Sequence, residues 1–272
     1  MLQRTKPTSP IVMLTCYDYP SARILDEAGV DVLLVGDSVG TNVLGYDSVN
    51  SVTMNDMRHH VGAVSRGTAH AFVLADMPTR SYTTPREAVH NARLLCAAGA
   101  DGVKLEGGAE MVETVKALVK EGIAVCGHIG YTPQSIQTAR VQGKEAAAAI
   151  ALVQAAEALS QAGLFMIVLE LITEQLARII TQRIAIPTIG IGAGSFCDGQ
   201  VQVLNDITGL SVMHYRHAKA YESFRERLSQ VGRDYGAEVR QRLFPTSQNV
   251  ASMAEQELTA LEKWNSTQES NG

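Results

Sequence analysis

No apolar run in this 272-residue chain approaches the roughly 18 residues a membrane helix needs, and the opening MLQRTKPTSP carries no apolar segment of the secretory-leader kind. The four cysteines, Cys16, Cys96, Cys126 and Cys197, have no CxxC spacing, so neither a zinc site nor a disulfide framework is expected. A basic stripe is missing too. The formal charge is −5, which turns the search for partners away from nucleic acid and toward small molecules. Low-complexity tracts and linker-like breaks are also absent. Together these absences point to one soluble domain in a reducing compartment, the cytoplasm.

What the chain does have is apolar residues, 46% of the total, distributed in short runs that alternate with helix-like segments. That alternation, at this length, predicts an α/β fold of the (β/α)8 TIM-barrel type. The predicted strands are Ile11–Cys16, Val32–Val35, Phe72–Ala75, Gly102–Leu105, Ile123–Cys126, Leu164–Glu170 and Ile186–Ile191. Ile207–Met213 is taken as the eighth because seven would leave the barrel open. Helices are expected over Ser21–Ala28, from about Met54 to Arg66, from Thr84-Pro85 with Glu87 closing a capping box, and from Lys144 to Ala162. The connection from Thr41 to Val52 has no clear period and reads as a lid or substrate loop. A short segment 1–10 precedes the barrel of 11–214. C-terminal helices follow over 215–264, then a polar, frayed tail over 265–272.

The organising feature is the way these strands end. DVLLVGDSVG stops at Asp37 and Ser38, FVLADMP at Asp76, GVKLEGG at Lys104 and Glu106, IAVCGHIG at His128 and LFMIVLEL at Glu170. Taken singly, a strand-end Asp reads as a cap or turn residue, and a lone His as a hydrogen-bonded structural one. In a parallel barrel, however, the carboxyl ends of the strands share one rim, and charges at that many ends converge there. Side chains alternate along a strand, so Lys104 and Glu106 enter that rim together or not at all. Facing carboxylates repel unless a cation neutralises them, and a hard divalent ion with oxygen ligands is the natural partner. Asp37 and Asp76 are the first choices as magnesium ligands, with Glu106 direct or through water. Such an ion can chelate a 2-oxo acid and acidify the neighbouring carbon. Glu170, following a strongly apolar strand, suits the base; Lys104 or backbone N–H groups near Ser38 could hold the developing oxyanion. The glycines Gly190, Gly192 and Gly194 serve either tight packing at the barrel mouth or a phosphate loop.

The runs LTCYDYPSA, VLLVGDSVG, LADMP, TTPREAVHNA, GVKLEGG, VCGHIGYTPQS, VLE and IPTIGIGAG, in this order from about Thr15 to Gly199, resemble the ketopantoate hydroxymethyltransferase (3-methyl-2-oxobutanoate hydroxymethyltransferase) family. The resemblance implies a (β/α)8 barrel assembled as a homo-oligomer, a decamer in the family. It implies magnesium-dependent transfer of a hydroxymethyl group from methylenetetrahydrofolate to 3-methyl-2-oxobutanoate, on the way to pantothenate. Asp37, Asp76 and Glu106 would form the metal site. Asp37, Ser38, Asp76 and Lys104 would contact the oxo acid with His128 in support, and Glu170 would accept the proton. Asn50-Ser51, the loop after Ser135 and Tyr215-Arg216 depart from the family pattern, all outside the carboxylate set. Three other readings stay open: a paralogue with another acid or donor, a phosphoenolpyruvate-type C–C lyase or mutase, and a silent barrel kept for assembly.

Overall fold

Eight short parallel strands close into a barrel in the computed structural model of the chain, which describes residues 6–213 and 215–269. They are β1 (Ile11–Thr15), β2 (Val32–Val35), β3 (Phe72–Asp76), β4 (Gly102–Glu106), β5 (Ala124–Gly130), β6 (Met166–Glu170), β7 (Thr188–Ile191) and β8 (Gly199–Gln202). Each pairs with the next, and β8 returns to β1 through Met13 opposite Val201. The helices α1 (Tyr19–Glu27), α2 (Met54–Gly67), α3 (Pro85–Ala97), α4 (Val112–Lys120), α5 (Ala146–Ala162) and α6 (Glu174–Arg183) follow β1 to β6 in turn. A short α7 (Leu204–Ile207) follows β8.

Alternation along the strands sorts the core into two layers. Met13, Val32, Leu34, Leu74, Cys126, Met166, Val168, Ile189 and Val201 pack together inside the barrel. The intervening residues, among them Leu33, Val35, Val73, Ala75, Val103, Leu105, Ile167 and Leu169, face the helices. A strand buried on both faces explains why these segments read as continuous apolar runs. Helix starts are chemically explicit. Asp18 caps α1 by accepting the Ser21 N–H at 2.8 Å, and Thr53 and Asp56 form a reciprocal box at α2. At α3 only half of the expected box forms. Thr84 accepts the Glu87 N–H, while the Glu87 carboxylate takes the Thr83 hydroxyl instead.

The eighth strand is not where the sequence placed it. Ile207–Met213 holds the end of α7 and a turn, and β8 is Gly199–Gln202. The chain returns from β7 to β8 in seven residues, 192–198, without a helix. So short a crossover works because the two strands overlap only at Ile189 opposite Gly199 and Gly190 opposite Gln200. Asp198 anchors the return by accepting the Thr188 N–H at 2.8 Å. The fifth strand is longer than expected, running through Gly127 to Gly130, so His128 is a strand residue with its side chain inside. The presumed lid contains a π-type turn, Gly40–Leu44, and a 3-10 turn, Val49–Ser51.

Residues from Ser223 onward form a second compact unit, separate from the unit that ends at Glu222. It contains α8 (Phe224–Arg240) and α9 (Glu255–Glu269), so the expected frayed tail from 265 is helical as far as Glu269. The expected C-terminal helical span opened at 215, whereas α8 begins only at Phe224.

Candidate active site

The barrel interior changes character at its carboxyl end. Above the apolar layers, Asp76, Lys104, Glu106 and His128, on β3, β4 and β5, are all at least 94% buried. Lys104 and Glu106 do face the same way: Lys104 pairs with Asp76, and Glu106 meets His128 on the neighbouring strand.

The groups form one connected network. Asp76 spends one carboxylate oxygen on the Lys104 ammonium and the other on the Asp37 backbone N–H, at 3.0 Å. Asp37, just past β2, accepts the Gln134 side-chain amide at 2.8 Å. Glu106 accepts the Gln134 backbone N–H at 3.0 Å on one oxygen and lies 3.2 Å from His128 Nδ1 through the other. His128 Nε2 in turn sits 3.2 Å from Glu170 Oε2, at ion-pair distance although off the line of a good hydrogen bond. Ser38 adjoins Asp37, and its hydroxyl exchanges a 2.9 Å hydrogen bond with Tyr17. The ionisable strand-end residues singled out in the sequence therefore meet, whereas the Ser38 hydroxyl is bonded to Tyr17 and to none of them.

Burial and crowding set the charges. Removal from water pushes the Asp37 carboxyl up to about 7, the Asp76 charge adds to that, and Lys104 only partly opposes it. Burial disfavours the Lys104 ammonium, but the carboxylates of Asp76, Glu106 and Asp37 outweigh it and hold the group charged. The same contest at His128 has burial and Lys104 pushing down, and Glu106 with Glu170 lifting the imidazole to about 9. Glu106 gains from that arrangement: burial would raise it, yet the His128 hydrogen bond and charge hold it below the ordinary range. The lifted His128 imidazole thus lies between Glu106 and Glu170, beside the Lys104–Asp76 ion pair.

The donor set suits a hard cation. Asp37, Asp76 and Glu106 offer only carboxylate oxygen, and the raised Asp37 carboxyl is the kind of crowding that a positive ion relieves. Among the described residues no group of three or more His, Cys, Asp or Glu side chains is arranged so that it could hold a metal ion, so the fit rests on the chemistry of these three carboxylates alone. The nearby Cys126 thiol is pushed up to about 12 by burial and supplies no thiolate.

Two neutral residues in the network escaped the sequence reading. Gln134 lies in the loop after β5, and Tyr82, in the loop after β3, gives its hydroxyl proton to the Gln134 side-chain oxygen. Neither carries a charge at a strand end, the signal that found the others. The glycine run after β7 belongs to the tight return to β8: Gly192 and Gly194 have positive φ, and a side chain at Gly194 would run into Glu174.

A closed parallel barrel with its polar cluster at the carboxyl ends of the strands defines a (β/α)8-barrel enzyme. Its relatives by sequence are specific. A model of the ketopantoate hydroxymethyltransferase family matches residues 1–247. The 3-methyl-2-oxobutanoate hydroxymethyltransferase of Dehalococcoides mccartyi (strain CBDB1) is 48% identical over 259 residues, 93% of each chain. That of Roseiflexus sp. (strain RS-1) is 50% identical over 254 residues, 92% of this chain and 91% of the other. The chain belongs to the ketopantoate hydroxymethyltransferase family and is a hydroxymethyltransferase. Among solved structures, phosphoenolpyruvate phosphomutase from Streptomyces platensis subsp. rosaceus superposes with a TM-score of 0.60. The match covers 97% of this chain and 94% of that one at 14% identity, a likeness of fold alone.

Proposed function

We propose that the chain transfers a hydroxymethyl group from methylenetetrahydrofolate to a 2-oxo acid, 3-methyl-2-oxobutanoate, giving ketopantoate through an enolate. The balance takes up one water, which turns the donated methylene into a hydroxymethyl group, and releases tetrahydrofolate. The observation that carries this reading is the pairing of a candidate base with a candidate metal site across a single imidazole, Glu170 to His128 to Glu106.

In this reading Glu170 removes the proton from C3 of the oxo acid. His128, held as imidazolium between Glu170 and Glu106, keeps the base carboxylate turned into the barrel. Lys104, already at Asp76, faces the carboxylate and oxyanion end of the substrate, and Asp37 and Ser38 line the same end from β2. Asp37, Asp76 and Glu106 would hold magnesium. The ion's contribution, when bound, is to polarise the keto oxygen and stabilise negative charge that develops there. A dry rim strengthens each of these electrostatic contacts, because little water remains to screen them.

A cytoplasmic enzyme fits four free thiols, and no helix among the described residues is long and apolar enough to cross a membrane. Assembly into a homo-oligomer, a decamer by family resemblance, accords with the apolar stripe Leu228, Val231, Tyr235 and Val239, which α8 leaves exposed. The test is product formation. Purified protein with 3-methyl-2-oxobutanoate, methylenetetrahydrofolate and magnesium should give ketopantoate by mass spectrometry and lose that activity in EDTA. Turnover only with another acid or donor would replace this reading with the paralogue.

A further inference from the structure

Gln134 reaches the centre of the network from a neighbouring loop and uses its whole side-chain amide there. The Nε2 group donates to Asp37 Oδ2 at 2.8 Å and to the Met77 carbonyl at 3.0 Å, while Oε1 accepts the Tyr82 hydroxyl. Its own backbone N–H goes to Glu106 Oε2. One residue of the β5 loop therefore ties together groups that follow β2 and β3 and the end of β4. The amide cannot be turned over, because the Met77 carbonyl and the Asp37 carboxylate both require a donor and would then face an oxygen. The backbone is equally constrained. Ser135 and Ile136 donate to the Thr132 carbonyl at 3.0 and 2.8 Å, and the Thr132 and Ser135 hydroxyls meet at 2.7 Å.

Carboxylates delivered by different strands must be held to about 0.5 Å to share one ion, and their outer hydrogen-bond partners do that work. We propose that Gln134 is a positioning residue that fixes the Asp37 carboxylate relative to Glu106, with Tyr82 locking its amide, so that both face one magnesium ion. The proposal rests on the metal-site reading above. It assigns to an uncharged loop residue a role in metal affinity.

Calorimetric titration of magnesium into the wild type and the variants Gln134→Met, Tyr82→Phe and Asp37→Asn tests it, with thermal melts alongside. Gln134→Met should weaken binding roughly 10- to 100-fold with a nearly unchanged melting temperature, and Tyr82→Phe should weaken it in the same direction by less. In a substrate proton-exchange assay Gln134→Met should raise the magnesium concentration needed for half-maximal rate while saturating metal restores most of the rate. A merely structural role would not produce that split. Wild-type affinity in Gln134→Met alongside lost binding in Asp37→Asn overturns the proposal and leaves the metal site standing. Wild-type affinity in Asp37→Asn shows that the metal reading itself is wrong, and the proposal falls with it. If Gln134→Met melts early, Tyr82→Phe decides, and unchanged affinity there is the overturning result.

Discussion

Glu170 and Glu106 lie on either side of one histidine, so their roles can be separated by changing one atom at a time. Glu170→Gln keeps the shape beside His128 and removes the carboxylate proposed as the base. Exchange of the C3 proton of 3-methyl-2-oxobutanoate should fall by about 10²–10⁴-fold, with magnesium affinity little changed by calorimetry; retained exchange would take the base role from Glu170. Asp37 supplies a pH test. Its folded-state carboxyl stands at about 7 against an ordinary 3.8, so without metal its protonated form favours the folded state. That contribution is complete below about 3.8 and disappears as the pH rises through about 7, whereas a bound cation favours the ionised form. The magnesium-induced rise in melting temperature should therefore be small near pH ~5 and grow through pH ~7. A rise that does not change with pH would contradict it. At this scale the sequence was legible wherever a charge ended an apolar run, since an ionised group beside a buried strand needs a partner. Gln134 and Tyr82 were invisible, because polar neutral residues in loops are ordinary and only the fold brings Gln134 to Asp37 and Tyr82 to Gln134.

The elements were readable in proportion to their apolar content. β2, β3, β4 and β6 are continuous buried runs and lie within two residues of where the sequence put them. β8 has one apolar side chain, Val201, and exposes Gln200, so a more hydrophobic segment downstream took its place in the sequence reading. β5 was cut short because GHIG resembles a turn, although the strand continues to Gly130. That glycine has φ +100°, and a Cβ there would fall 2.2 Å from the Glu170 carbonyl, so it sets how closely β5 approaches β6. Closure of the barrel depends on a similar contact at Gly199, where a Cβ would lie 2.5 Å from the Ile11 carbonyl oxygen. Gly199→Ala should cost about 1–3 kcal/mol in urea unfolding, because the obstructing atom is backbone that also belongs to the β1–β8 pairing. Gly232→Ala, in α8 with open space around it, should be neutral or stabilising by up to about 1 kcal/mol. Equal effects of the two substitutions would remove the closure argument.

At the scale of the whole molecule, every candidate site residue lies in the unit that ends at Glu222, while the exposed apolar stripe of α8 lies in the other. Under the assembly proposed above, the α8 stripe is the surface to test. Light scattering should give a mass several times the 29.2 kDa of one chain, and replacing Leu228 and Val231 with Lys should lower it; an unchanged mass would free that stripe from any part in assembly. The (β/α)8 plan was legible because the alternation of strand and helix repeats along the chain. The missing helix between β7 and β8 was not, because only register shows how little distance that return must cover. The central claim, an enolising site built from Glu170 and a magnesium ion at the strand ends, can be tested without any folate. In heavy water with 3-methyl-2-oxobutanoate, proton NMR should record loss of the C3 signal that requires both protein and magnesium and stops in EDTA. Exchange that proceeds equally without magnesium, or no exchange at all, would contradict the account.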